Sequence, residues 1–192
     1  MISTLKPTRR DFIKTSLAGV ATAGALPLAV QAQDHGKPKM LPIIEAPYWI
    51  DADGKETTFN MSEVRGKWLF LECFQKWCPG CKKYGLPGLQ KITQEFGDDE
   101  RIKFLAIQTA FEGYFFNDQG AVRKIQKQYE LPIKMAHDPG NIQPNGRPIT
   151  MTRFRTGGTP WTIIAAPNGE IIFSDVHVEP DRFIAFMKQQ LA

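Results

Sequence analysis

The chain has 192 residues, 42% of them hydrophobic, enough for one globular domain with a substantial core. Its formal net charge of +4 is concentrated at one end. Residues 1–32 hold four of the 24 basic side chains and one of the 20 acidic ones, leaving +1 for the remainder; that balance gives no ground for nucleic-acid binding.

The N-terminus reads as an export signal. Thr8-Arg9-Arg10-Asp11-Phe12-Ile13-Lys14 carries a twin-arginine pattern, and a modestly apolar run follows from Thr15 to Val30. Val30-Gln31-Ala32 then offers a small-residue cleavage site, with Gln33 as the expected first residue of the processed chain. No later apolar run approaches the roughly 20 residues of a membrane helix, so the processed form is expected to be soluble. Residues 33–45 read as a flexible lead-in, and the domain proper is expected over 46–192.

Tyr48-Trp49-Ile50 and Lys55 to Phe59 flank Asp51-Ala52-Asp53-Gly54, a hairpin signal with Asp-Gly at the turn. Met61 to Arg65 allows one helical turn. Trp68 to Phe74 is an apolar run that reads as a buried strand, and Leu86, Leu89, Ile92 and Phe96 recur at the spacing of a helix face. Arg101 to Gln108 predicts a second buried strand. Asp118 or Asn117 can cap a helix carrying Val122, Ile125 and Tyr129, and Ile133 to Met135 is a short strand candidate. Asp138 to Thr150, with three prolines and two glycines, reads as loop. Trp161–Ala165 and Glu170–Val176 are predicted strands joined by Pro167-Asn168-Gly169. Pro180 suits a first helical position, with Phe183, Met187 and Leu191 on the packed face. The sequence of elements predicts an α/β sandwich with a mixed central sheet.

The chemistry centres on Trp77-Cys78-Pro79-Gly80-Cys81, at the junction between the first buried strand and the helix after it. A thiol at a helix N-terminus meets free N–H groups and the positive dipole end, which favour the thiolate. Cys78 is therefore the candidate nucleophile. Cys81, one turn on, can attack a mixed disulfide formed by Cys78. Lys76, Lys82 and Lys83 are expected to lower the Cys78 pKa further. A zinc site would need four ligands, and no second C-x-x-C or histidine pair supplies the other two, so no metal is expected.

Glu72 is a charged residue inside an apolar strand. Buried, it would have a raised pKa suited to carrying a proton; at a strand edge it would instead pair with a lysine. Strand alternation puts Cys73 on the face opposite Glu72 and Phe74, where it reads as a small buried hydrophobe. Trp77 either shields the sulfurs and offers a flat contact to substrate or simply packs. His137 and His177, near strand ends, read as hydrogen-bonded surface or loop residues. The run Phe111 to Phe116 is either part of a substrate surface or packing over the sheet.

With the N-terminal hairpin, Gly66-Lys67 before the strand, the Trp-Cys-Pro-Gly-Cys motif and Gly158-Thr159-Pro160 before the last hairpin, the chain resembles the thioredoxin superfamily. In layout it is similar to its exported TlpA-like thiol–disulfide oxidoreductases. The resemblance covers roughly Ala46 to the C-terminus. It implies a cis Pro160 facing the C-x-x-C and a Thr159 backbone that pairs with an extended substrate strand. It also implies that Glu72 helps to deprotonate Cys81. The implied activity is periplasmic reduction of protein disulfides by a Cys78/Cys81 dithiol, without a cofactor and with a membrane-bound redox partner recharging the pair.

Two other functions are weighed against this one. A Cu(I)-binding metallochaperone would use the same soft thiolates with a histidine or methionine as third ligand, but the copper chaperones of this superfamily carry C-x-x-x-C. The peroxiredoxin pattern Pro-x-x-x-Thr-x-x-Cys is absent before both Cys73 and Cys78.

Overall fold

Seven strands form one mixed sheet in the computed structural model, which describes residues 38–192. In chain order they are β1 (Tyr48–Ile50), β2 (Glu56–Thr57), β3 (Trp68–Phe74), β4 (Ile102–Ala110), β5 (Lys134–Pro139), β6 (Trp161–Ala165) and β7 (Ile171–Asp175). Their order across the sheet is β2-β1-β5-β4-β3-β6-β7. Strand β3 is central, parallel to β4 and antiparallel to β6, and all seven of its residues are buried. A strand covered on both faces needs a continuous apolar run, which is what Trp68 to Phe74 supplies apart from Glu72.

Among the described residues, three α-helices connect strands, α1 (Leu86–Phe96), α2 (Gln119–Gln128) and α3 (Ile149–Phe154), and α4 (Pro180–Leu191) follows β7. The crossovers β3-α1-β4 and β4-α2-β5 step in one direction across the sheet, so their right-handedness sets α1 and α2 on the same face. Helix α4 packs beside α1; Phe183 meets Phe70 edge-on at 5.0 Å between ring centres, and Phe186 meets Trp68 at 5.7 Å. The opposite face holds the main core, with Leu69, Leu71 and Cys73 of β3 against Ile44, Val64 and Phe154. Cys73 thus lies on the face opposite Glu72, fully buried in the apolar cluster, as alternation requires. Burial, with Glu72, Asp138 and Cys81 nearby, pushes its thiol pKa well up.

Several elements differ from the sequence reading. Residues 1–37, which include the proposed leader, lie outside the described residues. Within the expected lead-in, Met40 bridges to Glu170, the Leu41 N–H donates to the Gly169 carbonyl at 2.7 Å, and Ile44 is buried in the core. Those contacts make Met40 to Ile44 part of the domain rather than a free lead-in. His137 is not at the surface: it sits inside β5, opposite Tyr48, with its Nδ1 3.0 Å from Gln108 Nε2. Burial lowers its pKa, against an opposing pull from Asp118.

The proline-rich stretch after Asp138 ends in a helix. The carboxylate of Asp138 accepts the N–H groups of Ile149 (3.0 Å) and Thr150 (2.7 Å) at the start of α3. The cap lies eleven residues before the helix, out of reach of any local capping pattern. At α2 the choice between two candidate caps resolves to Asp118, whose side chain accepts the Ala121 N–H at 2.7 Å; Asn117 is committed elsewhere. Among the described residues, no helix is long and apolar enough to cross a membrane.

Candidate active site

All three cysteines are free thiols. The chain turns helical directly after Cys78, and the Cys78 sulfur accepts the N–H of Cys81 at 3.3 Å. This is the bond that an N-cap oxygen makes to the third residue of a helix, here made by the Cys78 sulfur. The Cys78 thiol also points at the Thr159 carbonyl, 3.4 Å away. The Thr159–Pro160 peptide is cis. Cys78 is half-buried and Cys81 buried, so a partner meets the first sulfur before the second. The Gln75 N–H donates to the Cys81 sulfur at 3.5 Å. Burial pushes the Cys81 thiol pKa far up and the neighbouring Cys78 adds to it, while the Gln75 N–H and the Thr159 hydroxyl act in the opposite sense.

Residues Cys81 to Gly85 form a π-helical turn ahead of α1, closed by the Leu86 N–H on the Cys81 carbonyl. Such wide turns recur at functional sites. This one sets Gly85 against the sheet, where a Cβ would press on Glu72 Oε1 and stand 2.9 Å from Pro160 Cβ. Gly80 is also tight, with its missing Cβ 3.0 Å from Pro160 Cδ. Glycine at these two positions lets the helix start, the buried acid and Pro160 meet.

Glu72 is 1% exposed. Its Oε2 accepts the hydroxyl of Thr162, directly opposite on β6, at 2.7 Å, and Oε1 has no hydrogen-bond partner. Burial raises its pKa to about 8 against the modest pull of Thr162. The alternative of an edge acid paired with a lysine does not hold. The lysines expected around Cys78 point outward in part: Lys82 and Lys83 are exposed, and the Lys83 ammonium lies 4.9 Å above the Tyr84 ring. Tyr84 in turn stacks on His177 at 5.6 Å.

The sequence reading missed Gln75, Asn117, Gly85 and Thr162. Gln75 and Asn117 are each 1% exposed, and their side-chain amides bond to each other. A polar residue directly after an unbroken buried strand was the available sign. Trp77 keeps 43% of its surface exposed, and its indole N–H donates to Gln75 Oε1 at 3.2 Å. It therefore has both a contact face and a fixed orientation.

A mixed sheet flanked by helices, with the Cys78-Pro79-Gly80-Cys81 turn at a helix start and a cis-proline close by, defines a thioredoxin-like fold. By sequence the chain belongs to the AhpC/TSA family, whose pattern it matches over residues 39–173, well over half its length. No curated protein matches it.

Among solved structures it is similar to a thioredoxin-like superfamily protein (21% identity, TM-score 0.68, over 79% of this chain and 95% of the other). It is also similar to a thiol-disulfide isomerase from Corynebacterium glutamicum (24% identity, TM-score 0.65, 81% and 96%). A third is a secreted disulfide oxidoreductase of Mycobacterium tuberculosis homologous to E. coli DsbE (16% identity, TM-score 0.54, 74% and 94%). At these identities the likeness establishes the fold.

Proposed function

We propose that the protein is a periplasmic thiol–disulfide oxidoreductase that reduces protein disulfides with the Cys78/Cys81 dithiol. The observation that carries this reading is the asymmetry of the pair. Cys78 is accessible and hydrogen-bonded by a helix N–H, while Cys81 is buried behind it with a strongly raised pKa. An accessible thiol whose sulfur accepts a helix N–H is placed to attack; a buried thiol one turn on is placed to resolve.

The Cys78 thiolate attacks one sulfur of a substrate disulfide, forming a mixed disulfide and expelling the other substrate sulfur as a thiolate that takes up a proton. Cys81 then loses its proton and attacks the Cys78 sulfur, closing the Cys78–Cys81 disulfide and releasing the second substrate thiol. Two electrons pass from the enzyme pair to the substrate; the proton given up by Cys81 and one from solvent supply the two substrate thiols. A dithiol donor must restore the pair, and the family resemblance implies a membrane-bound one. In this scheme Glu72 receives the Cys81 proton, Thr159 offers backbone to an extended substrate, and Trp77 and Pro160 line the approach to Cys78. The twin-arginine leader, with cleavage after Ala32, supports the periplasmic assignment.

The reduction potential of the pair, with metal content recorded on the same sample, tests the reading. A value below roughly −220 mV is expected; one above about −150 mV would make the protein a donor of disulfides. Stoichiometric copper with protected thiols would replace the redox reading with the metal one. That alternative needs a third ligand, and both histidines considered for it are otherwise engaged, His137 with Gln108 and His177 with Tyr84. Turnover of hydrogen peroxide that is lost in Cys78→Ser would instead establish a peroxidase.

A further inference from the structure

We propose that Gln75 is a positioning residue that makes Trp77 and the loop Phe111–Asn117 one fixed contact surface for polypeptide substrates beside Cys78. The inference rests on the disulfide-reducing function proposed above and adds what selects the substrate.

Gln75 sits between the end of β3 and the motif, and its hydrogen bonds reach every wall of the site. Its Oε1 accepts from Trp77 Nε1 at 3.2 Å and from Asn117 Nδ2 at 2.9 Å, and its Nε2 donates to Thr159 Oγ1 at 3.4 Å. The arrangement of donors has one solution. An indole N–H only donates, so Gln75 must present its oxygen to Trp77. Asn117 Nδ2 also faces the carbonyls of Glu112 (3.0 Å) and Gly113 (3.3 Å), which fixes the Asn117 amide with its nitrogen inward. Reversing either amide would set donor against donor or oxygen against oxygen. Asn117 Oδ1 is left without a partner, but the donors have this one arrangement, and a buried network so constrained holds its members in place.

What it holds is apolar and exposed. Gly113, in the left-handed region at φ 58°, lies against the Trp77 ring, with Trp77 Cε2 3.3 Å from where a Cβ would be. The loop beyond carries Phe115 and Phe116, 87% and 57% exposed and packed edge to face. Two exposed phenylalanines on a loop pinned from beneath, continuous with a half-exposed tryptophan next to the nucleophile, form a surface that an apolar stretch of polypeptide flanking a disulfide would cover. A small disulfide passes Trp77 to reach Cys78 without extending to Phe115 and Phe116.

The test compares the full chain with its variants in two assays: reduction of insulin recharged by dithiothreitol, and single-turnover reduction of the small disulfide 5,5′-dithiobis(2-nitrobenzoate) by pre-reduced protein freed of dithiothreitol. Gln75→Met keeps the shape and removes the hydrogen bonds. It is expected to raise KM for insulin about tenfold with kcat within about twofold, and to change the small-disulfide rate by a much smaller factor without shifting the reduction potential. Asn117→Leu should do the same, and the double variant should be no worse than either single one, since both remove one link. Phe115→Ser/Phe116→Ser changes only exposed positions and is expected to raise KM for insulin without touching Gln75. Equal losses on both substrates, a shifted potential in Gln75→Met, or an unchanged insulin KM in the phenylalanine variant would each overturn the inference. If the wild-type protein reduces neither disulfide, the proposed function itself falls and this inference with it.

Discussion

The hydroxyl of Thr162 donates to Glu72 Oε2 across two central strands, leaving Oε1 without a partner against Gly85. A fully buried carboxyl with one hydrogen bond is more stable neutral than charged, and its pKa stands at about 8. Glu72 is therefore protonated over most of the physiological range and becomes a base near its upper end. Its free oxygen faces the residue one turn beyond Cys81, whose own proton must leave before the mixed disulfide can resolve.

The resolving step should accordingly rise with pH through the ionisation of Glu72 near 8. Glu72→Gln removes the proton acceptor while keeping the bond to Thr162. It should slow resolution on the order of 100-fold at pH 8, the scale of a lost general base. The initial attack by Cys78 should change little. Rapid-mixing kinetics with a chromophoric disulfide separates the two steps. A resolving rate in Glu72→Gln equal to that of the wild type, at every pH, would remove Glu72 from the mechanism.

The same group makes stability depend on pH. In the unfolded chain Glu72 titrates at its ordinary value of 4.5 and in the folded chain at about 8, so between these values the folded state holds one proton more. Its contribution is fully present below about 4.5 and is lost as pH rises towards 8, at no more than roughly 1.4 kcal/mol per pH unit. Glu72→Gln cannot lose this proton. Urea denaturation at pH 5 and pH 9 should show the wild type weakening relative to the variant on going to pH 9; parallel curves would mean that Glu72 does not titrate with folding.

How far the sequence reached depends on whether the cause was local. β3, α1, α4 and the two hairpins follow from apolar spacing and from Asp-Gly and Asn-Gly turns, each written within a few residues. Cys78 and Cys81 are legible because a C-x-x-C is itself a local pattern, and the cis Thr159–Pro160 because a family resemblance carried it. Helix α3 was missed because its cap is Asp138, brought there by β5 rather than by the adjoining chain. Gln75 and Asn117 are 42 positions apart and become meaningful only as a pair. Thr162 matters because β3 and β6 are in register at Glu72. His137 was misplaced because β5 runs four residues beyond Met135, through Ala136, His137 and Asp138 to Pro139.

Gly85 reverses an ordinary expectation. Replacing a helical glycine by alanine at a position with room usually stabilises by about 1 kcal/mol. Here the added methyl would meet Glu72 Oε1 and Pro160, neither of which can move without disturbing the sheet or the motif. Gly85→Ala should therefore cost about 1–3 kcal/mol, the range of overpacked cores. The cost should shrink when Glu72→Ala first clears the nearer obstacle, giving a favourable coupling in a double-mutant cycle read by urea denaturation. Equal costs in the two backgrounds would mean that the helix relaxes away from Glu72.

Asp138 offers a test of the long-range cap. Its two carboxylate oxygens accept consecutive N–H groups, at 3.0 Å from Ile149 and 2.7 Å from Thr150, so α3 begins on a strand residue rather than on its own preceding loop. Burial raises the Asp138 pKa while these bonds and Arg153 pull it down. The group thus pays for its burial through bonds to α3. Asp138→Ala would leave both N–H groups unpaired and should cost about 1–3 kcal/mol. Asp138→Asn keeps one acceptor and should lie between. Because α3 is only six residues long, the loss should concentrate there. Amide hydrogen exchange should quicken at Ile149 and Thr150 in Asp138→Ala, and much less at Leu71 in β3. Protection at the α3 amides unchanged from the wild type would show that packing of Phe154 and Met151 on the sheet, rather than Asp138, holds the helix in place.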